Sequence, residues 1–209
     1  MQVKIMLNEF EKGLVAYIGE DRLIKLQKVK VGIAGAGGLG SNCAFNLVRS
    51  GFRKFKIVDF DVVEPSNLDR QFFFIDQLHM PKVEALKENL ERINPCIDIE
   101  SIQDRVTKEN MTSLFGDCDV IVEAFDKVIY KTMIVEGFFS SGKLLVSASG
   151  LAGWGNSDDI RVRKIHEKFY MVGDFVSEAN ENRPPISPRV NIAAAKQADV
   201  VLSFFLNET

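Results

Sequence analysis

A glycine-rich turn between a strand-like run and a helical pattern is the feature that most constrains this fold. The turn is GAGGLGS, residues 35–41, and the apolar run KVKVGIAG leads into it. Glycines allow positive φ and let the backbone approach a phosphate, while the N–H groups of a following helix point at the anion. Asp59 ends a second strand-like run roughly 20 residues further on, where a carboxylate can accept hydrogen bonds from ribose hydroxyls. The pattern predicts a nucleotide site, and NAD, FAD and ATP all fit it.

Strand-like runs alternate with helical patterns from residue 29 onward, which is typical of stacked βαβ units. We therefore predict an α/β fold: a Rossmann-like, mostly parallel sheet with helices on both faces. An antiparallel hairpin is expected late in the chain, at 159–173. The 209 residues are interpreted as one domain in four segments. These are a helical arm (1–28), a nucleotide-binding core (29–150), a hairpin and substrate loop (151–188) and a C-terminal helix (189–209).

Within this plan the periodicity places individual elements. A helix is expected to follow the glycine turn, another is expected to begin at Pro81, and residues 9–28 are interpreted as a helical arm. The predicted strands are 28–35, 54–60, 97–102, 119–125 and 143–149.

Composition excludes several classes of protein. With 26 Lys and Arg against 29 Asp and Glu, the net charge of −3 gives no general attraction to nucleic acid or anionic membranes. Apolar runs fall short of the roughly 18–20 residues that span a bilayer, and residues 1–13 lack a signal-peptide core, so we expect a cytoplasmic protein. The three cysteines form no CxxC pair, which argues against a disulfide framework or a zinc site; Cys43 and Cys118 are expected in the core.

Three charged residues favour ATP over a dinucleotide. Arg70, like Asn67, lies past the carboxyl end of the second predicted strand, where ligands bind in open α/β sheets. Lys82 is placed in the first turn of a helix, where the dipole disfavours a cation unless a polyphosphate lies nearby; a solvated lysine is the alternative. Asp126 ends the fourth predicted strand and is suited either to Mg²⁺ or to capping a helix. A triphosphate needs several cations and usually Mg²⁺.

The segments GAGGLGS, DFDVVEPSNLDRQ, PKVEAL and EAFD, in this order within residues 31–126, closely resemble the ThiF/MoeB/HesA branch of the ubiquitin-activating-type superfamily. The chain is most similar to the short ThiF-type members of that branch. The resemblance implies ATP-dependent adenylylation of the C-terminal Gly-Gly carboxylate of a small ubiquitin-like sulfur-carrier protein, with release of pyrophosphate. The thiamine pathway is favoured, and a homodimer is implied.

The resemblance also implies residue roles. The glycine turn carries the phosphates, Asp59 binds ribose, Arg70 and Lys82 bind phosphates, and Asp126 is essential and lies near Mg²⁺. The implied catalytic set is Arg70, Lys82 and Asp126. The implied nucleotide-binding set is Gly35, Gly37, Gly38, Gly40, Ser41, Asp59, Asp61, Asn67, Arg70, Gln71 and Lys82.

The sequence departs from the family pattern in three respects and leaves alternatives open. The N-terminal arginine-rich motif of many relatives is not recognisable, and Arg22 is the only arginine before Gly35. The paired CxxC motifs that hold zinc in many relatives are absent, and no cysteine lies in 174–188, where longer relatives carry a catalytic one. Trp154 is expected either to line a channel for the carrier tail or to anchor the core. The alternative functions are a tRNA-modifying ATP-dependent dehydratase of the same superfamily and a non-catalytic scaffold. An NAD-dependent oxidoreductase is not expected.

Overall fold

The computed structural model describes residues 7–207. The predicted helical arm and C-terminal helix therefore extend at 1–6 and 208–209 beyond the described residues. The helices are α1 (Glu9–Ile18), α2 (Glu20–Lys28), α3 (Gly38–Arg49), α4 (Lys82–Glu91), α5 (Met111–Phe115), α6 (Val128–Phe138) and α7 (Ser187–Asn207). The strands are β1 (Lys30–Ala34), β2 (Lys54–Val58), β3 (Asp98–Ile102), β4 (Val120–Glu123), β5 (Leu144–Ala148), β6 (Arg161–His166) and β7 (Phe169–Gly173).

The seven strands form one sheet in the order β3-β2-β1-β4-β5-β7-β6. All neighbours are parallel except β6 and β7, which are the antiparallel hairpin expected at 159–173. The predicted α/β class is therefore confirmed. The strand order reverses beside β1, between β1 and β4, and ligands of open α/β sheets bind at the carboxyl ends of the strands at such a point.

Helices cover both faces of the sheet, which explains why the central strands are apolar at consecutive positions. One buried cluster joins β1 and β2 to α3, α4 and α7, and a second packs beneath α5 and α6. Gly32 in β1 permits the close packing of the Phe115 ring in this second cluster, because a Cβ there would lie 2.8 Å from that ring. Cys43 and Cys118 are buried as expected, and burial raises the pKa of both thiols.

The segment interpreted as a helical arm, 9–28, consists of two helices. Gly19 separates α1 from α2 with φ of 83°, a left-handed conformation that glycine adopts without strain. Glu11 of α1 is fully buried, and its two carboxylate oxygens accept from Arg53 at 2.6 and 2.7 Å. Asn94 and Gln27 donate to the same carboxylate. This network fixes the arm to the core.

Three boundaries differ from expectation. Helix α3 begins inside the glycine turn at Gly38, and α7 begins at Ser187. Strand β4 ends at Glu123, so Asp126 lies in the connection beyond the strand and not at its end. Trp154 is 67% exposed, which rules out the core anchor. Within residues 7–207 no helix combines the length and the apolar character needed to cross a membrane.

Candidate active site

A cavity of about 790 Å³ opens at the carboxyl ends of β1, β2, β4 and β5. Its walls come from the glycine turn, the loop after β2, the start of α4 and the connections after β3, β4, β5 and β7. The structure therefore brings together most of the side chains and glycines singled out from the sequence. Those that line the cavity are Gly35, Gly37, Gly38, Asp59, Asp61, Arg70, Gln71, Lys82 and Asp126.

The glycines of the turn have different physical roles. A Cβ on Gly37 would meet no atom nearer than Gln71 Nε2 at 4.0 Å, so this position leaves the cavity floor open to a phosphate. A Cβ on Gly40 would lie 1.8 Å from the Gly35 carbonyl oxygen, so this position allows α3 to pack closely on β1. Gly35 adopts φ of 100°. Gly40 does not line the cavity; it affects the shape of the cavity through the packing of α3 on β1.

Ser41 and Asn67 also lie outside the cavity lining, contrary to their expected place in the nucleotide site. Ser41 is fully buried, and its hydroxyl accepts from the N–H of Phe72 at 3.0 Å. Asn67 Oδ1 accepts from the N–H of Glu64 at 3.0 Å, which closes the short helical turn Pro65–Asn67. Both side chains are used within the protein, where they shape the loop that carries Arg70.

Asp59 fixes the end of β2 against the glycine turn. Its Oδ2 accepts from the N–H of Ala36 at 2.6 Å, and its Oδ1 accepts from the N–H of Asp61 at 2.8 Å. Burial raises the pKa of Asp59, against the opposing effect of these two N–H groups. Each oxygen of a carboxylate has a second lone pair, so Asp59 can still accept from a ligand hydroxyl.

Lys82 is the first residue of α4, directly after Pro81, as expected. Its Nζ lies 3.1 Å from Asp61 Oδ2. The Lys82 side chain is 8% exposed, whereas that of Asp61 is 47% exposed. A nearly buried ammonium group beside the positive end of a helix dipole creates a local surplus of positive potential, which suits an anionic ligand.

Arg70 reaches the cavity from the loop after β2. Its guanidinium donates to the Ser66 carbonyl at 2.9 Å and to Asp69 Oδ1 at 2.7 Å. A Cβ built on Gly38 would lie 3.6 Å from Arg70 Cγ, so the stem of Arg70 covers the start of α3. The stem of Arg70 therefore lies against the glycine turn, and its guanidinium is held by Ser66 and Asp69.

The side chain of Gln71 has an unsatisfied oxygen that bears on whether a nucleotide fits the cavity. Its Oε1 is buried and, within residues 7–207, has no hydrogen-bond partner, although buried acceptors are nearly always satisfied. The side chain lines the cavity beside Gly37. A ribose hydroxyl or an adenine amino group would supply the missing donor, so the residues present fit a nucleoside phosphate.

Asp126 lines the cavity and is exposed. In the described part of the chain no cluster of three or more His, Cys, Asp or Glu side chains is arranged to hold a metal. Mg²⁺ commonly takes one or two carboxylates together with substrate phosphates. Asp126 therefore fits a Mg²⁺ that is bound jointly with a nucleotide.

Sequence reasoning missed several residues of the cavity wall. Arg105 follows β3, stacks with its Cζ 3.9 Å from the Phe60 ring centre and donates to the Tyr130 hydroxyl at 3.0 Å. Lys131 of α6 pairs with the fully buried Glu123 at 3.2 Å. The sequence could have indicated these residues through their position just after the carboxyl ends of β3 and β4, because ligands of open α/β sheets bind there. Other missed lining residues are Lys127, Ser149, Gly150, Leu151, Ala152, Ser177, Glu178, Ala179, Pro185 and Val190.

Comparison with family models and known sequences finds relatives of this chain. Residues 11–198 match the ThiF family. The chain is 36% identical over 143 residues to tRNA threonylcarbamoyladenosine dehydratase 2 of Saccharomyces cerevisiae, covering 66% of this chain and 32% of that protein. It is 36% identical over 132 residues to the sulfur carrier protein ThiS adenylyltransferase of Bacillus subtilis, covering 62% and 39%. The chain thus spans well under half the length of these curated relatives.

Comparison with solved structures finds the same fold. The Escherichia coli tRNA N6-threonylcarbamoyladenosine dehydratase TcdA, in complex with ATP, superimposes with a TM-score of 0.87 at 19% identity, covering 98% of both chains. Escherichia coli MccB with ATP gives 0.73 at 23% identity, covering 98% of this chain and 65% of the other. At such identities the likeness establishes the fold and no more.

Proposed function

Because the chain belongs to the ThiF family, we propose that it is an ATP-dependent adenylyltransferase acting on a small ubiquitin-like sulfur carrier. The carrier's C-terminal Gly-Gly carboxylate is the acceptor, and pyrophosphate is the second product. One observation supports this most strongly: a single cavity is lined by an open glycine turn, by Arg70 and Lys82, and by Asp126. The B. subtilis relative, named for the ThiS carrier, favours the thiamine pathway. In this proposal residues 1–209 form one adenylation unit, which acts in the cytoplasm as a homodimer.

The reaction forms a bond between a carrier carboxylate oxygen and the α-phosphorus of ATP, and it breaks the bond from that phosphorus to the oxygen bridging to the β-phosphate. Pyrophosphate leaves with the electron pair of that broken bond. Mg²⁺, when bound with the nucleotide, supplies neutralisation of phosphate charge. The proposed role of Asp126 is to bind that ion.

The remaining catalysis is positioning and electrostatics. The glycine turn binds the phosphates through backbone N–H groups, and Asp59 accepts from the ribose. Arg70 and Lys82 stabilise the charge that develops on the phosphoryl oxygens and on the leaving group. Removal of one such preorganised group typically costs about 10²–10³-fold in rate. No cysteine lies in 174–188, so the proposal ends at the acyl-adenylate and includes no covalent sulfur intermediate on this segment.

The test is ATP–pyrophosphate exchange with a panel of Gly-Gly-ended carriers of thiamine and molybdopterin type. Exchange is expected only when a carrier is present, and Arg70→Ala and Asp126→Ala are each expected to reduce it at least about 100-fold. Arg92→Ala, at the exposed end of α4, is the matched control and is expected to keep full exchange. Absence of exchange with every carrier, or normal exchange in both site variants, would overturn the proposal.

A second candidate is ATP-dependent dehydration of a modified tRNA base, as the name of the S. cerevisiae relative suggests. One surface feature favours it: all six residues of the edge strand β6 are exposed, among them Arg161, Arg163 and Lys164. Cations on an exposed strand suit phosphate contacts. ATP turnover that depends on tRNA, falls with added salt and needs no carrier would select this function over the first.

A further inference from the structure

The segment after β7 forms one wall of the cavity and contains a strained residue. Ser177, Glu178 and Ala179 line the cavity from this side. Phe175, just before them, has φ of 64°, a left-handed conformation that a bulky side chain rarely adopts. Such conformations persist only where the surroundings hold them, and they cluster at functional sites. Arg163 stacks with its Cζ 3.9 Å from the Phe175 ring centre.

Asp174 organises this strained segment. Its Oδ1 accepts from the N–H groups of Val176 at 2.9 Å and Ser177 at 2.8 Å. Its own N–H donates to the Gly150 carbonyl at 3.0 Å, and the Ser177 hydroxyl accepts from the N–H of Ala152 at 3.0 Å. The segment 174–177 is thereby joined to the loop after β5, at 149–152, which lines the same side of the cavity.

Arg189, in the first turn of α7, connects these loops to a third. Its guanidinium pairs with Asp174 Oδ2 and donates to the carbonyls of Gly155 at 2.8 Å and Asn156 at 3.1 Å. The side chain is 5% exposed, and its Nε is buried without a partner in the part of the chain that the structure describes. Burial opposes ionisation of Asp174, but the N–H groups of Ser177 and Val176 and the charge of Arg189 outweigh it and lower its pKa.

The loops held in this way face the nucleotide side across the cavity. The glycine turn, Asp59 and Lys82 occupy the wall built on β1, β2 and α4, whereas 149–152 and 177–179 occupy the wall built on β5 and β7. A carboxylate that attacks the α-phosphorus must approach from the side opposite the leaving pyrophosphate. Gly150 adopts φ of 80°, and a Cβ there would lie 2.1 Å from Asp174 Oδ1, so glycine at this position allows the loop after β5 to pack directly on Asp174.

We propose that Asp174 and Arg189 are positioning residues that hold the 149–152 and 174–179 loops as the seat for the carrier's C-terminal tail. Neither acts on the nucleotide in this proposal. It rests on the proposed function, because the tail belongs to the carrier substrate. Loosening the loops is therefore expected to weaken binding of the carrier and to leave ATP binding unchanged.

The experiment compares Asp174→Asn and Arg189→Lys with Arg53→Lys, which alters the similarly buried Arg53–Glu11 pair outside the cavity. In carrier-dependent pyrophosphate exchange, both loop variants are expected to raise the KM for the carrier at least about tenfold. Their kcat at saturating carrier and their KM for ATP are expected to stay within about twofold of the parent. Arg53→Lys is expected to lower the melting temperature without changing the KM for the carrier.

A readout independent of activity keeps the two proposals separate. Hydrogen exchange of the amides at 149–152 and 174–179 is expected to accelerate at least about tenfold in Arg189→Lys, a conservative variant that carries the test if Asp174→Asn fails to fold. The positioning role is overturned if hydrogen exchange of these loop amides is unchanged or if the KM for the carrier is unchanged. It is also overturned if Arg53→Lys raises that KM equally. Absence of carrier-dependent activity in the parent protein overturns the proposed function instead.

Discussion

Two charged clusters lie near opposite ends of the sheet's strands, and one of them lines the 790 Å³ cavity described above. Towards the amino ends of β1 and β4, Lys30 and Lys56 both pair with Glu100 and with Asp117. Each cation in this amino-end network therefore meets two carboxylates. At the carboxyl ends, Lys82 pairs with Asp61 alone among residues 7–207, and Gln71 Oε1 has no partner there.

The difference teaches that charge by itself does not mark a site. The amino-end network neutralises its own charges through mutual ion pairs, so it has little capacity left for a ligand. The cavity end keeps a nearly buried ammonium group, an unsatisfied acceptor and open backbone at Gly37. Unused hydrogen-bonding and electrostatic capacity beside a cavity is what distinguishes the candidate site from a stabilising network.

The largest effect is expected on the cavity side, from Lys82→Met. Loss of this cation should reduce kcat/KM in carrier-dependent pyrophosphate exchange about 100-fold, because it removes charge stabilisation at the phosphates. The stability cost should stay below about 1 kcal/mol, since its partner Asp61 is 47% exposed and remains hydrated. Urea denaturation measures the second quantity. A loss of several kcal/mol in stability with full activity would reverse the assignment of the two clusters.

Lys56→Met, in the amino-end network, is expected to have a smaller effect: it should lower stability slightly and leave activity nearly unchanged. Glu100 and Asp117 are 47% and 51% exposed and keep Lys30, so the free energy of unfolding should fall by no more than about 1 kcal/mol. The exchange activity should stay within about twofold of the parent, because this network does not line the cavity. A tenfold loss of activity in a fully folded variant would erase the distinction between the clusters.

The smallest effect concerns pH. Hydrogen bonds from Lys30 and then Lys56 hold the pKa of Asp117 below its usual range, so the folded state favours the ionised form. Its contribution to stability is therefore complete above the unfolded pKa of about 3.9 and is lost as pH falls through the lowered folded value. Asp117→Asn should destabilise by about 0.5 kcal/mol at pH 7, and by less at pH 3. Urea titrations at both pH values measure this, with exposed Asp76→Asn as control; a larger loss at pH 3 would contradict it.

The sequence predicted more of the cavity wall around the glycine turn than of the opposite wall, for a physical reason. The glycine turn, Asp59 and the first turn of α4 are local signals, because backbone conformation and helix position alone give them meaning. The Asp174–Arg189 and Glu123–Lys131 pairs depend on which loops the sheet brings together, which no local pattern records. The hydrogen bonds that Ser41 and Asn67 make within the protein were not predicted, because a polar side chain in a motif can serve either a ligand or the backbone.

The arm and the strand ends show a second way in which a local pattern falls short. Gly19 divides the arm into two helices, a boundary that the apolar spacing does not record, because glycine adopts the left-handed conformation there without strain. β4 ends before Asp126 because hydrogen bonding, and not hydrophobicity, determines where a strand stops. Neither point affected the prediction of the fold class, since sheet order follows from the succession of elements.

The contact between Gly38 and Val190 has a consequence for the order of events during synthesis. A Cβ on Gly38 would lie 2.9 Å from Val190 Cγ1, so the first turn of α3 is packed against α7, and Val190 forms part of the cavity wall. At about 5–20 residues per second, a ribosome needs on the order of ten seconds to proceed from the glycine turn to this helix. A nascent chain therefore exposes its glycine turn to water until α7 emerges, and the cavity wall is completed by the last helix to be synthesised.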